Sequence, residues 1–348
     1  MAFQGWKRLP RLFASTVRAE QWWEYKLIPT FCCFYGTAVV LNTPIASLWQ
    51  AALALLLALA ADAVYVSITN DIADREIDAA AGKVNRTAAM PGTVLVGAVA
   101  IPLGIGSALI FHWRHDPWLL GAYLAAWIVF TIYSVPPFRL KTRGLPGVLA
   151  DAAGAHLFPA LVAVLLVYRE TGSEADPAWL AAIGAWAFGY GLRGILWHQL
   201  EDLDNDLVAG VGTFAVRQSP SAAIGMARYF AFPLEIVALA VLLWKVDAFL
   251  PVACLAGYIL LAKVRVLDGM PSPVIVEARG RHTVFLHEYY DVLLPAGILI
   301  SSATVFPVDM AAIAFHLLVF PLRASKVTAE IFCRLGRGVR RLIHAKLY

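Results

Sequence analysis

Residues 48–78 read LWQAALALLLALAADAVYVSITNDIADREID, an apolar run that passes without a break into a cluster of acids. Its first part, 48–69, is rich in Ala and Leu, which are strong helix formers, and is long enough to cross a bilayer as a helix. Backbone N–H and C=O groups inside hydrocarbon must be paired, which leaves helices or a closed barrel. The run does not alternate with period two, so it predicts a membrane-spanning helix.

Apolar runs of this kind recur along all 348 residues, so the chain is predicted to be an all-α, polytopic membrane protein. Hydrophobic residues make up 60% of it and charged residues 15%, with a mean hydropathy of +0.69, which is too apolar for a soluble domain. A shorter apolar stretch, 308–322, either crosses as a short tenth span or returns as a hairpin. We expect about nine full spans, at 27–42, 48–69, 92–111, 118–134, 147–168, 178–197, 221–243, 247–262 and 289–306.

Basic residues predict the orientation of the spans. The loops after spans two, four, six and eight are long and rich in Lys and Arg, whereas the loops on the other side are short and hold fewer. The positive-inside rule places the long loops and the N-terminus in the cytoplasm. We expect a basic interfacial segment at 1–26, a transmembrane domain at 27–322 and a basic, amphipathic cytoplasmic tail at 323–348.

Three charged residues in or near the spans lie outside the acidic clusters and are expected to have separate roles. Arg18 and Lys26 are expected to anchor the chain at the membrane interface. Glu235 lies within span seven, and we expect it to be buried or to face a cavity because contact with lipid would be costly. Membrane lipids are expected partners and nucleic acid is not, while the oligomeric state is left open.

The first acidic cluster continues span two. Asn70, Asp74 and Asp78 are spaced i, i+4, i+8 and therefore share one helical face, with Asp71 beside them. Stacked carboxylates repel one another, and the C-terminal end of a helix is unfavourable for negative charge. A divalent cation would compensate, and Mg²⁺ accepts carboxylate, water and phosphate oxygens. The alternative is a solvated acidic helix end.

The second acidic cluster ends span six, on the same predicted side of the membrane. His198, Asp202 and Asp206 repeat the i, i+4, i+8 spacing. Two acidic helices that face each other could hold Mg²⁺ with a diphosphate between them, and the metal would neutralise the charge that grows on a leaving diphosphate. Arg139 and Lys141 follow span four and could reach its oxygens, although plain positive-inside charge is the alternative.

These motifs resemble those of the UbiA superfamily of intramembrane prenyltransferases. Asn70 to Asp78 matches its NDxxDxxxD motif, and Tyr133 to Lys141 is similar to its Tyr-Ser-x-Pro-Pro-x-Arg-Leu-Lys segment. Asp202 and Asp206 resemble its second DxxxD motif. Two shorter elements fit the same order, namely Asn85-Arg86 after the first motif and Gly210 with Thr213 after the second.

The resemblance implies a bundle of about nine helices around a central cavity. It implies Mg²⁺-dependent ionisation of a prenyl diphosphate to an allylic carbocation, which a lipophilic and often aromatic acceptor then attacks. The implied catalytic residues are Asp74, Asp78, Asp202 and Asp206. The implied metal ligands are Asn70, Asp71, Asp74, Asp78, Asp202 and Asp206. The implied diphosphate-binding residues are Asn70, Arg86, Tyr133, Arg139 and Lys141.

Other readings of the same residues stay open. His198 could tune metal binding or remove a proton from the product, or could be an ordinary hydrogen-bonded boundary residue. Asp151 and His156, at the start of span five, could face the cavity as acid or base toward the acceptor, or could have no such role. The same fold could host a terpene cyclase or a phosphoribosyl transfer to polyprenyl phosphate. A cation-coupled transporter is disfavoured, because transport sites lie near the bilayer midplane whereas these acids cluster at one membrane edge.

Overall fold

The computed structural model describes residues 18–80, 82, 85–277 and 283–346. The regular secondary structure of this part of the chain is helical, and its β-structure is limited to an isolated bridge between Val274 and Val284. The predicted all-α fold class is therefore confirmed. Most of the predicted interfacial segment 1–26 and the last two residues of the predicted tail lie outside the described residues.

The helices follow one another along the chain, and the longest connection lies between the tenth and the eleventh helix, from Leu267 to Tyr289. Those of the first half are α1 (Ala19–Val40), α2 (Trp49–Ala80), α3 (Gly92–His112), α4 (Pro117–Ser134), α5 (Leu145–Thr171) and α6 (Pro177–Glu201). Those of the second half are α7 (Leu203–Val208), α8 (Phe214–Arg217), α9 (Pro220–Val246), α10 (Phe249–Leu267), α11 (Tyr289–Val305), α12 (Met310–Val319) and α13 (Pro321–Lys346).

Every predicted span falls on a helix. Within the described residues, six helices are long and apolar enough to cross a membrane on their own: α2 to α5, α9 and α10. Helices α1 and α6 are long but more polar, and α11 is shorter, so the count of nine spans stays a prediction. The ten residues of α12 reach only about 15 Å, half of the hydrocarbon thickness. The chain then bends by 94° into α13.

Three helices contain a wide π turn, and proline explains each one. The π segments are Ala153–Leu157 in α5, Ala227–Ala231 in α9 and Tyr289–Leu293 in α11. Each is followed two residues later by a proline, which has no N–H to donate to the carbonyl four residues back and whose ring crowds that carbonyl. The π turn in α5 carries His156 toward the centre of the bundle.

Helix α6 lies at the centre of the packing. It approaches α9 so closely that a Cβ at Gly189 would lie 2.9 Å from the carbonyl oxygen of Ala231, which only glycine avoids. Nearer the N-terminus of α6, the Trp179 indole donates a 2.9 Å hydrogen bond to the Thr37 hydroxyl of α1. This packing holds the polar C-terminal end of α6 in a fixed position relative to α1, α5 and α9.

Candidate active site

One cavity of about 880 Å³ brings most of the predicted site residues together. Its walls include the C-terminal ends of α2 and α6, the loops that follow α4 and α10, and parts of α1, α4, α5, α7 and α13. The predicted residues that line it are Asn70, Asp74, Asp78, Tyr133, Arg139, Lys141, Asp151, His198, Asp202 and Asp206.

Helix α2 supplies the first carboxylates. It runs unbroken through the NDxxDxxxD motif, so Asn70, Asp74 and Asp78 form one stripe that lines the cavity. The loop after α2 folds back onto the same helix, where the Asn85 amide donates to a carboxylate oxygen of Asp78 at 2.8 Å and to the carbonyl of Asp71 at 2.7 Å.

A short turn after α4 supplies the cations. The Lys141 ammonium donates to Oδ1 of Asp74 at 2.6 Å and to Oδ1 of Asn70 at 2.7 Å, and Arg139 forms an ion pair with the same Asp74. The Lys141 side chain is only 12% exposed, and this burial lowers the pKa of its ammonium, against the opposing effect of Asp74. The two cations are therefore held at the carboxylate stripe by contacts made before any substrate arrives.

The loops that carry the basic turn and the second acidic cluster are joined. The Arg217 guanidinium donates from Nε to the carbonyls of Thr142 at 3.1 Å and Gly212 at 3.0 Å. The Gly144 amide also donates to the Gly212 carbonyl, at 3.2 Å. A Cβ at Gly212 would lie 2.9 Å from the backbone carbonyl oxygen of Thr142, so this close contact needs glycine.

The second acidic cluster keeps helical spacing although α6 ends at Glu201. The Asp202 amide donates to the His198 carbonyl at 3.0 Å, and the Asp206 amide donates to the Asp202 carbonyl at 2.8 Å. Asp202 and Asp206 are thus one turn apart, and both line the cavity that Asp74 lines. Tertiary packing places two acidic helix ends around one space.

The donor chemistry of the cavity fits Mg²⁺, which prefers oxygen ligands and keeps several waters and phosphate oxygens in its shell. Four carboxylates of the two acidic clusters, namely Asp74, Asp78, Asp202 and Asp206, line it together with the Asn70 amide. Within the described part of the chain, no three Asp, Glu, His or Cys side chains converge closely enough to hold an ion unaided. A metal here would need water or substrate oxygens to complete its coordination.

Two predicted site residues do not line the cavity. Asp71 is 1% exposed and forms an ion pair with Arg18. Arg86 is exposed to solvent. The roles of Asp71 as a metal ligand and of Arg86 as a diphosphate ligand stay predictions.

The other end of the cavity is lined by His156, which the sequence placed among the candidate acids or bases, and by Tyr190 and His287, to which the sequence assigned no role. The Tyr190 ring contacts both histidines, with centroid distances of 5.0 Å to His156 and 5.3 Å to His287. His287 precedes α11, and burial, together with the nearby Arg193 and Arg323, lowers its pKa well below the usual value. Arg18 and Lys26, interpreted from sequence as interface anchors, also line the cavity.

A buried ion pair supports this end of the cavity. Arg193 and Glu235 are both fully buried, and the guanidinium donates to both carboxylate oxygens at 2.7 Å. The Tyr290 hydroxyl donates to the same carboxylate at 2.7 Å. Arg193 also donates to the Phe285 carbonyl at 2.9 Å, which fixes the segment that carries His287. The expectation that Glu235 is buried is confirmed, whereas an arginine within predicted span six was a signal that went unused.

Comparison with known proteins gives one family and one fold. The profile of the UbiA prenyltransferase family matches residues 27–274. A UbiA homologue from Archaeoglobus fulgidus, solved with DMAPP and Mg²⁺, is similar over 87% of this chain and 99% of its own, with a TM-score of 0.54 and 19% identity. The same homologue with GPP and Mg²⁺ gives the same coverage and identity, with a TM-score of 0.51. No curated protein matches the chain in sequence.

Proposed function

The chain belongs to the UbiA prenyltransferase family, and we propose that it transfers a prenyl group from an isoprenoid diphosphate to a lipophilic acceptor, with an aromatic ring as the expected acceptor class. It is an intramembrane prenyltransferase by family and by its bundle of apolar helices. The acceptor, the site residues and the mechanism are the proposed part.

One observation carries the proposal: carboxylates from two helix ends and two cations from a third element line one cavity. A diphosphate carries several negative charges and cannot bind beside four carboxylates unless cations lie between them. Mg²⁺ would supply that positive charge. Its proposed ligands are Asn70, Asp74, Asp78, Asp202 and Asp206, with Asp71 as a further predicted ligand. The similar Archaeoglobus fulgidus homologue, solved with DMAPP and Mg²⁺, supports this arrangement.

In the proposed binding step, Lys141 and Arg139 release Asp74 and bind the diphosphate instead. Both contact Asp74 in the structure, and their N–H groups would turn to the diphosphate oxygens once a metal takes up the Asp74 carboxylate. The two cations then hold the leaving group at the end of α2 and limit its access to water. This explains why the cations lie beside acids and are mostly buried.

The proposed chemical step breaks the bond between the allylic carbon and the diphosphate oxygen, and the electron pair leaves with diphosphate. An electron pair of the acceptor then forms the new bond to the allylic carbon. An aromatic acceptor must next lose the proton of the attacked ring carbon. His198 and Asp151 line the same cavity and are the candidate bases for that proton.

The test is diphosphate release by the purified full chain in lipid nanodiscs, with a panel of prenyl diphosphates and with phosphoribosyl diphosphate. The release should require Mg²⁺, should stop with EDTA, and should require a membrane lipid extract that supplies the acceptor. Release without the extract would favour a terpene cyclase instead. Release only from a phosphoribosyl diphosphate donor, or no release from any donor, would contradict prenyl transfer.

A further inference from the structure

The C-terminal helix α13 begins at the rim of the cavity. The carboxylate of Glu24, which is 5% exposed, accepts hydrogen bonds from the first backbone amides of α13, at 2.7 Å from Leu322 and 2.6 Å from Arg323. An anion at a helix N-terminus satisfies free N–H groups and the helix dipole. The start of α13 is therefore fixed to α1.

Side chains of α13 also form part of the cavity wall. The Arg323 guanidinium lies 2.6 Å from the buried Asp291 carboxylate and 3.8 Å from the centroid of the Tyr25 ring. Arg323 and Tyr25 both line the cavity. The first turn of α13 thus contacts the site directly.

A second ion-pair network joins α13 to the loop that carries His287. Arg265 donates to both carboxylate oxygens of Glu330, at 2.9 Å and 2.6 Å, and lies 3.0 Å from the carboxylate of Glu288. Arg265 and Glu288 line the cavity. A displacement of α13 would consequently disturb Glu288 and its neighbour His287.

The direction of α13 suits a position along the membrane surface. The chain bends by 94° between α12 and α13, so α13 runs across the axis of α12 rather than along it. At 1.5 Å per residue its 26 residues extend about 39 Å. Phe332, two residues beyond Glu330, is 70% exposed.

The sequence of α13 has the pattern of an interfacial helix. Apolar residues recur at i, i+3, i+7, i+10, namely Phe332, Leu335, Val339 and Leu342. Seven of its residues are Lys or Arg, against the single acid Glu330: Arg323, Lys326, Arg334, Arg337, Arg340, Arg341 and Lys346. A basic, amphipathic helix of this kind binds anionic lipid.

We propose that α13 binds the anionic headgroups of the leaflet beside the cavity mouth, and that this contact holds the Arg323 and Glu330 networks at the cavity rim. A lipid surface is favoured over a soluble partner because α13 is attached to a spanning bundle, which keeps the leaflet at a high effective concentration. The proposed lipid binding does not depend on the proposed function, whereas the proposed effect of lipid on turnover rests on it.

Lipid binding is tested with the full chain carrying Cys254→Ser and a spin label on Cys333, which is exposed while Cys32 and Cys33 are buried. The protein is reconstituted in phosphatidylcholine alone or with phosphatidylglycerol. We expect the label to become several-fold less mobile with phosphatidylglycerol, and high salt to reverse this. Arg337→Glu with Arg341→Glu should abolish the effect. The matched reversal of two exposed cations elsewhere, Arg114→Glu with Lys263→Glu, should not. A label indifferent to phosphatidylglycerol would overturn the proposal.

The link to the site is tested with Glu330→Gln, which removes the ion pair with Arg265 and leaves every basic residue of α13 in place. Wild-type turnover should rise several-fold with phosphatidylglycerol. Glu330→Gln should keep the response of the label but lose the response of turnover. Turnover that ignores phosphatidylglycerol in the wild type would overturn the link. If no prenyl diphosphate turns over in any lipid, the proposed function fails, and the label still decides lipid binding.

Discussion

Nζ of Lys141 lies 2.6 Å from Oδ1 of Asp74, across 67 residues of sequence, and Lys141 contacts Asn70 as well. A cation from the loop after α4 thus rests on the carboxylate stripe of α2. In the proposed reaction this contact is a resting state, which the metal and the diphosphate replace together.

Lys141→Ala should raise the Kd of a prenyl diphosphate by about 10- to 100-fold, because a charge-assisted hydrogen bond contributes about 1.5–3 kcal/mol. Equilibrium binding of the diphosphate measures this, and the thermal unfolding midpoint should change little by comparison. Arg143→Ala is the matched control, since Arg143 is an exposed cation of the same loop and does not line the cavity. An unchanged Kd in Lys141→Ala would mean that Lys141 does not bind the diphosphate and serves only as a positive-inside charge.

Asp202→Asn should lower the rate of diphosphate release by at least about 10³-fold, because the second acidic cluster would lose half of its paired carboxylate charge. Asp204→Asn makes the same chemical change two residues away, at an exposed position that does not line the cavity, and should retain near wild-type release. Both variants are assayed at saturating Mg²⁺ and prenyl diphosphate. An equal loss of the release rate in the two variants would mean that the cluster acts through its total charge and not through positioned ligands.

His198→Gln should lower the turnover number by about 10²- to 10⁴-fold with an aromatic acceptor, and leave the Kd of the prenyl diphosphate within about twofold, if His198 removes the ring proton. A deuterium isotope effect with a ring-deuterated acceptor should then appear or increase. His115→Gln, at an exposed position outside the cavity, serves as the control. A normal turnover number in His198→Gln would leave Asp151 as the candidate base, to be tested as Asp151→Asn.

Arg193→Leu should destabilise the protein by about 3–5 kcal/mol, because it leaves the fully buried Glu235 carboxylate without its cation. The double variant with Glu235→Leu removes both charges and should recover part of that loss. Thermal unfolding midpoints in one detergent compare the two variants with wild type. If the double variant were less stable than Arg193→Leu by the full cost of a second deletion, the two residues would not act as a pair.

Local helix geometry explains what could be predicted from sequence. The spacing of Asn70, Asp74 and Asp78 places them on one face of any α-helix, and the structure has that helix. The apolar runs likewise predict the helices, because backbone N–H and C=O groups in hydrocarbon must be hydrogen-bonded within the protein, and a helix pairs them within one segment.

The residues that meet through tertiary packing could not be predicted from local sequence, although His156 was itself a candidate for the cavity. His156, Tyr190 and His287 come from three helices or loops and meet at the cavity because α6 packs against its neighbours. The same holds for α13: its basic, amphipathic character was evident, but its contacts with Glu24, Asp291 and Arg265 depend on the 94° bend that follows α12.

The central claim is that the two acidic clusters hold one Mg²⁺-diphosphate between them. Its most direct test is equilibrium binding of a non-hydrolysable prenyl thiolodiphosphate, with Mg²⁺ or EDTA, to wild type, Asp74→Asn, Asp202→Asn and the double variant. The account predicts Mg²⁺-dependent binding that each single variant weakens by at least about 10-fold, with the double variant losing less than the sum of the two free-energy changes. Binding that is indifferent to Mg²⁺, or that either single variant leaves unchanged, would contradict it.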